Sequence, residues 1–166
     1  MINGEKVLRD KYPGLDENQY QPAGIDLRLG KLMILSEKEE VYGIADSIKQ
    51  LPDHIEVPET AVTIKNSSLE TGWLLEPHQI YIGVTKEKIQ IDSDCAQIYL
   101  PRSSLLRAGV DVKTALGDSG FRGHLSFLLI NHSNKPFFIK KDDRFAQLVD
   151  FEVMGTIKDY DGDYNE

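Results

Sequence analysis

Residues 79–112 read QIYIGVTKEKIQIDSDCAQIYLPRSSLLRAGVDV. The runs QIYIGVT, KIQI, AQIYL and GVDV are rich in β-branched and aromatic residues and are separated by charged or turn-forming residues. One segment breaks the series. Ser103 to Ala108 is helix-compatible, with a serine placed to cap its start and Gly109 placed to end it. A single helical turn among strands matters because its free N–H groups favour anions.

The same texture extends both ways. Upstream lie GWLLEP (72–77), a run from His54 to Ile64 whose Pro58 suits an edge or strand end, and Gly24 to Leu35, alternating in part and interrupted by Gly30. Downstream lie HLSFLLIN (124–131), PFFIK (136–140) and FAQLVDFEV (145–153). Short strands with regular turn punctuation predict an all-β sandwich, jelly roll or barrel rather than βαβ units. Gly4 to Lys11 predicts a short N-terminal helix ending before Pro13. Ser36 to Ile48 reads as a charged excursion, with Glu37 to Glu40 a solvated loop. The polar, acidic tail is expected to be flexible from about residue 156 unless a neighbouring subunit holds it.

The 166 residues fit one domain, 1–166, and the net charge of -8 argues against a general nucleic-acid binder, which needs a dense cationic face. It does not exclude a phosphorylated small molecule held by a few placed arginines and a metal. The single cysteine, Cys95, cannot form an internal disulfide and points to a reducing, cytoplasmic setting. It also excludes the thiolate zinc site of zinc-dependent base deaminases. The N-terminus has no long apolar run, so neither signal peptide nor membrane span is expected. His54, His78, His124 and His132 lack metal-ligand spacing, Trp73 reads as core or interface, and Asp92 with Asp94 reads as a turn.

Four segments carry the chemistry: QPAGIDLRLG (21–30), PRSSLLRAG (101–109), GDSGFRGH (117–124) and DDRFAQL (142–148). Each has a bland reading alone: Asp26 a surface carboxylate, 117–120 an exposed turn, Arg144 a surface partner of Asp142 or Asp143. Together and in this order they resemble the dUTPase and dCTP deaminase superfamily, over Gln21 to Val153, and the N-terminal GEKVLRD and QPAGIDLRLG look closer to the deaminase branch and its archaeal relatives. The resemblance implies a distorted β-barrel or jelly roll of the β-clip type, with one short helix after the second motif. It also implies a homotrimer whose active sites are shared between subunits.

It implies site residues as well. Arg102 offers a planar fork to phosphate oxygens, Ser103 takes the second-motif serine's place at the α/β bridge, and Ser104 is its neighbour. Mg2+ would ride on the three phosphates, with Asp26 acting through its waters or on a neighbouring arginine. Asp118 stands where the family's catalytic aspartate stands and would aim water at the α-phosphorus. Gln147 would be a further water or phosphate ligand, and Phe121 the aromatic wall against the deoxyribose. Base selection would come from the backbone near Val110 to Ala115.

The superfamily runs two reactions. Its deaminases need a glutamate ten residues after the third-motif aspartate, and here that position is Leu128. In an extended strand Ser126, Leu128 and Ile130 share a face, and residues 122–141 contain no carboxylate. A hydrocarbon cannot shuttle protons to a cytosine ring. The deaminase's serine and second arginine have counterparts in Ser103 and Arg107. The resemblance therefore implies a dUTP diphosphatase on the deaminase-like branch. Alternatives are a dCTP deaminase or a nucleotide-binding homologue without turnover. Two departures stand: Gly117 replaces the usual aliphatic residue before the aspartate, and the tail DYDGDYNE replaces the glycine-rich fifth motif, with Asp163 where a lysine is usual.

Overall fold

The computed structural model describes residues 1–36, 42–45, 48–64, 68–155 and 158–165, so Glu37 to Glu40 lie outside the described residues. Helix α1 (Glu5–Lys11) and a single 3-10 turn (Glu17–Gln19) lead into β1 (Tyr20–Gln21) and the long β2 (Gly24–Leu35). Then follow β3 (Gly43–Ala45), β4 (Ile48–Gln50), β5 (His54–Glu56), β6 (Thr60–Thr63) and β7 (Leu69–Leu75). The second half contains β8 (Ile80–Gln90), β9 (Cys95–Pro101), α2 (Ser103–Ala108), β10 (Val110–Lys113), β11 (Arg122–Asn131), β12 (Phe137–Ile139) and β13 (Arg144–Glu152).

The main sheet runs β10–β11–β8–β2–β13–β9, antiparallel throughout. A bridge between Gln97 of β9 and Gly117 brings its last strand back to the loop that follows its first. The result is a nearly closed barrel. A smaller sheet, β12–β7–β6, lies outside this path, with the buried Trp73 donating its indole N–H to the Val57 carbonyl at 2.8 Å.

Alternation dictates the interior. Along β11, Gly123, Leu125, Phe127, Leu129 and Asn131 point inward, while His124, Ser126, Leu128 and Ile130 do not. Phe127 meets the Phe145 ring edge-on at 5.1 Å, among the fully buried Leu27, Leu29 and Leu148. Each such side chain contributes about 1.5–3 kcal/mol by leaving water.

Two local expectations change. QIYIGVT and KIQI are one strand, not two, because β8 absorbs extra residues in a bulge opposite Leu125. The Thr85 hydroxyl closes that bulge, donating to the Glu87 carbonyl at 2.8 Å and accepting from the Leu125 N–H at 2.9 Å. And no serine caps α2. Arg102 is the N-cap residue, without a side-chain cap, and its carbonyl receives the N–H groups of Leu105 and Leu106. The chain enters the helix one residue earlier than the serine signal indicates. The other end is as expected, with Gly109 in the left-handed conformation at φ 79°.

Candidate active site

The first, second and fourth motifs converge on one carboxylate. Strand β13 pairs with β2 so that Gln147 lies opposite Asp26, and it pairs with β9 on its other side, which ends just before Arg102. Asp26 is only 3% exposed, with Oδ2 at 3.2 Å from both Arg102 Nε and Arg144 Nη1. Burial pushes its carboxyl above the ordinary range, and the two arginines only partly pull it back. Arg144 thus pairs with Asp26 and the Asn18 carbonyl rather than with Asp142 or Asp143.

A third cation completes the cluster. Arg28 stands opposite Arg144 across the strands, a pairing of like charges that would cost stability if uncompensated. The buried Glu87 offsets it, accepting from Arg28 Nε at 2.7 Å and from its backbone N–H at 2.9 Å, while Asp16 takes Nη1 at 2.6 Å. Arg28, Arg102 and Arg144 line a cleft of about 550 Å³, with Ser104 and the aromatic pair Phe137 and Phe138 on its walls. Three guanidinium groups held by fixed carboxylates suit a polyanion, because little reorganisation is needed on binding. Arg28 was not among the expected site residues, although its signal was present: it follows Asp26 by two in a strand and so shares its face.

Other expected residues are placed differently. Ser103 and Ser104 are both exposed at the start of α2, and Ser104 lines the cleft. Arg107 is exposed in the last helical turn and is not among the residues lining the cleft. Gln147 crosses Gly24, where a Cβ would strike the Leu148 carbonyl and sit 3.1 Å from Gln147 Cγ.

Asp118 belongs to a second cluster. Gly117 is bonded to Gln97, near the start of β9, whereas Arg102 follows its end. Gln97 and Pro101 are about 13 Å apart at 3.3 Å per residue. Asp118 is exposed between two buried neighbours, Gly117 and Ser119. Phe121 packs against the core and meets the Tyr160 ring at 5.7 Å. Tail residues 158–165 lie along this loop: the Tyr160 N–H donates to the Ser119 carbonyl at 2.7 Å, and Asn165 accepts from the Arg122 N–H at 2.7 Å. Ser126 is exposed near the loop's base, where Thr114 donates to its carbonyl at 2.9 Å. Leu128 follows on the same face, opposite Lys113 and Ile82. One chain thus carries an arginine-lined cleft and the Asp118 loop at different ends of one strand.

The carboxylates of the cleft are already engaged: Asp26 with two arginines, Asp16 with Arg28, Asp142 with Lys86 at 2.7 Å and Asp143 with the Lys140 N–H at 2.8 Å. Such a donor set suits a divalent metal ion that keeps its waters, rather than one caged by the protein. Asp92, Asp94 and Cys95 also lie close together, but the Lys11 ammonium is bonded to Asp92 at 2.9 Å and to the Cys95 sulfur at 3.1 Å.

Residues 4–153 match the family model described as dCTP deaminase-like. The chain belongs to that family. A relative in Methanopyrus kandleri, named a probable deoxyuridine 5'-triphosphate nucleotidohydrolase, is 41% identical over 99% of both chains. The deoxyuridine 5'-triphosphate nucleotidohydrolase of Methanocaldococcus jannaschii is 32% identical over 99% of this chain and 98% of its own. Among solved structures, the 2'-deoxycytidine 5'-triphosphate deaminase of Agrobacterium tumefaciens aligns with a TM-score of 0.64 at 20% identity, over 90% of this chain and 46% of that one. That likeness concerns the fold. Among the described residues, no helix is long and apolar enough to cross a membrane.

Proposed function

We infer that this chain is a dUTP nucleotidohydrolase, releasing dUMP and pyrophosphate. The observation that carries the choice between the family's two reactions is Leu128. The strand face leading from the Asp118 loop presents Ser126, Leu128 and Ile130, with no carboxylate to protonate a cytosine ring. Relatives matching the whole chain at 32–41% identity carry the nucleotidohydrolase name.

In the reaction proposed, Asp118 accepts a hydrogen bond from water and aims it at the α-phosphorus. The new P–O bond forms as the bond to the bridging oxygen breaks, and pyrophosphate leaves. The water proton passes to Asp118 or to solvent. Arg102, Arg144 and Arg28 hold the departing phosphates, with Ser103 and Ser104 at the helical turn and Gln147 beside Asp26, while Arg107, outside the cleft, is a substrate-binding residue. Phe121 forms the sugar's wall and excludes a 2′-hydroxyl. A Mg2+ ion accompanying the triphosphate would supply charge neutralisation, and Asp26 is the residue that would act on it through water.

Separation of the two clusters on one chain supports sites completed between copies, and a homotrimer is the arrangement proposed. Ile98, Leu100, Leu106 and Leu116 are 41–65% exposed beside these clusters and offer apolar surface for such packing. A single, buried cysteine fits a cytoplasmic setting.

The test is to incubate purified protein with dUTP and with dCTP, with and without Mg2+, and separate the products. Pyrophosphate from dUTP is expected, and Asp118→Asn lowers kcat by about a hundredfold or more. Ammonia from dCTP, or full activity in Asp118→Asn, refutes the reading.

A further inference from the structure

Asp118 is presented by a loop whose backbone is fixed at several points. Gly117 and Gln97 exchange both backbone hydrogen bonds, at 2.8 and 2.9 Å. The Ser119 hydroxyl donates to the Cys95 carbonyl at 2.6 Å, Gly120 donates to Ile91 at 3.1 Å, and Ile91 donates back to Phe121 at 2.9 Å. One position has no room to spare. A Cβ on Gly117 would run into the Tyr99 hydroxyl, with Ile91 Cδ1 at 2.8 Å and Gln97 Cβ at 3.0 Å. Gly117 does not have positive φ, so space rather than conformation demands glycine there.

Tyr99 is itself held from behind. Its ring stands edge-on to Phe127 at 5.5 Å, and its hydroxyl donates to Gln97 Oε1 at 2.9 Å. The Gln97 amide donates to Asp150 Oδ1 at 2.9 Å and to the Tyr12 hydroxyl. Asp150, fully buried, receives Lys11 at 2.9 Å and Asn3 at 2.6 Å on its other oxygen. A continuous set of bonds therefore runs from a buried ion pair to the oxygen that abuts Gly117. Burial, reinforced by the nearby Tyr12, Asp150 and Asp118, pushes the Tyr99 phenol well above its ordinary range, so it remains an O–H donor.

We propose that Tyr99 is a positioning residue for hydrolysis: its hydroxyl fills the volume that a side chain at 117 would need and sets where the adjacent Asp118 carboxylate stands. This rests on the reading of Asp118 as the residue that orients water. Displacement of such a group by about 1 Å can cost about a hundredfold in rate.

The experiment compares Tyr99→Phe, Gly117→Ala and the double variant by dUTP kinetics, thermal midpoint and amide hydrogen exchange over 117–121. Tyr99→Phe keeps the ring on Phe127. It is expected to lower kcat about tenfold, the scale of one lost hydrogen bond, with KM changed less than twofold, exchange over 117–121 faster, and the midpoint lowered by only a few degrees as the buried Gln97 Oε1 loses its donor, the chain staying folded at the assay temperature. Gly117→Ala lowers kcat further than Tyr99→Phe does, and removing the hydroxyl reduces that loss, so the two effects are less than multiplicative. Unchanged kcat and exchange in Tyr99→Phe, independent effects in the double variant, or a loss explained by unfolding would each overturn the proposal. If the wild-type chain releases no pyrophosphate from dUTP, the hydrolase reading fails. Amide exchange then still decides whether Tyr99 holds the loop.

Discussion

Asp26 is a carboxylate kept where charge is costly. Its folded pKa is raised by burial above the ordinary value of about 4, so the folded chain holds the proton more tightly than the unfolded one does. The stabilisation this brings is complete below the unfolded value and is lost as pH rises through the folded value. Asp26→Asn removes the titration. The expected result is that the thermal midpoint of the variant, relative to wild type, is constant below the unfolded value and improves as pH rises from there through the folded value, while triphosphate affinity at neutral pH falls. A midpoint difference that is flat or opposite in slope would contradict this account. At this scale the sequence was legible in part. Asp26 and Arg102 stand in recognisable segments, but Arg144 beside two aspartates reads as a surface pair. Its real partner is 118 residues away and becomes visible only once β2 and β13 are in register.

Among elements, the strands were readable because period-two alternation separates inside from outside without knowledge of partners. Breaks in that pattern were harder. In sequence the bulge in β8 reads as a gap between the runs QIYIGVT and KIQI, since Lys86 and Glu87 carry no alternating apolar signal. Gly30 gave a clearer sign: the register of β2 against β8 shifts between Leu29 and Lys31, and a Cβ at Gly30 would press on the Lys86 backbone at 3.0 Å. Invisible in sequence was the tie from α1 to β13, where the Lys11 ammonium, its side chain 15% exposed, meets the fully buried Asp150. Burial opposes the lysine's charge, and hydrogen bonds to Asp150, Asp92 and Cys95 outweigh it. Removing one member leaves the other charge buried alone. Lys11→Met is therefore expected to lose about 3–5 kcal/mol in urea unfolding at pH 7, and a loss below about 1 kcal/mol, the scale of a surface pair, would show the link to be superficial.

For the whole molecule, the two clusters at the ends of β9 make a prediction about assembly. Arg102→Ala and Asp118→Asn chains, each inactive alone, are expected to regain dUTP hydrolysis when unfolded together and refolded as a mixture. On the proposed shared-site arrangement, some sites in mixed oligomers would draw the arginine from one chain and the aspartate from another. No recovery in mixed oligomers of confirmed composition would place both groups of each site on one chain. Subunit arrangement is where single-chain reading ends, because exposed leucines show that a surface can be covered without showing which symmetry covers it.

Cys95 is 3% exposed, and its thiol has the Lys11 ammonium 3.1 Å away and is held protonated chiefly by burial. Reagents for thiols act on the ionised form and must reach it. Alkylation needs the groups packed on the sulfur, Asn3 and Lys11 among them, to move aside, so its rate, compared with that of a free thiol, becomes a built-in gauge of how often this corner of the fold opens.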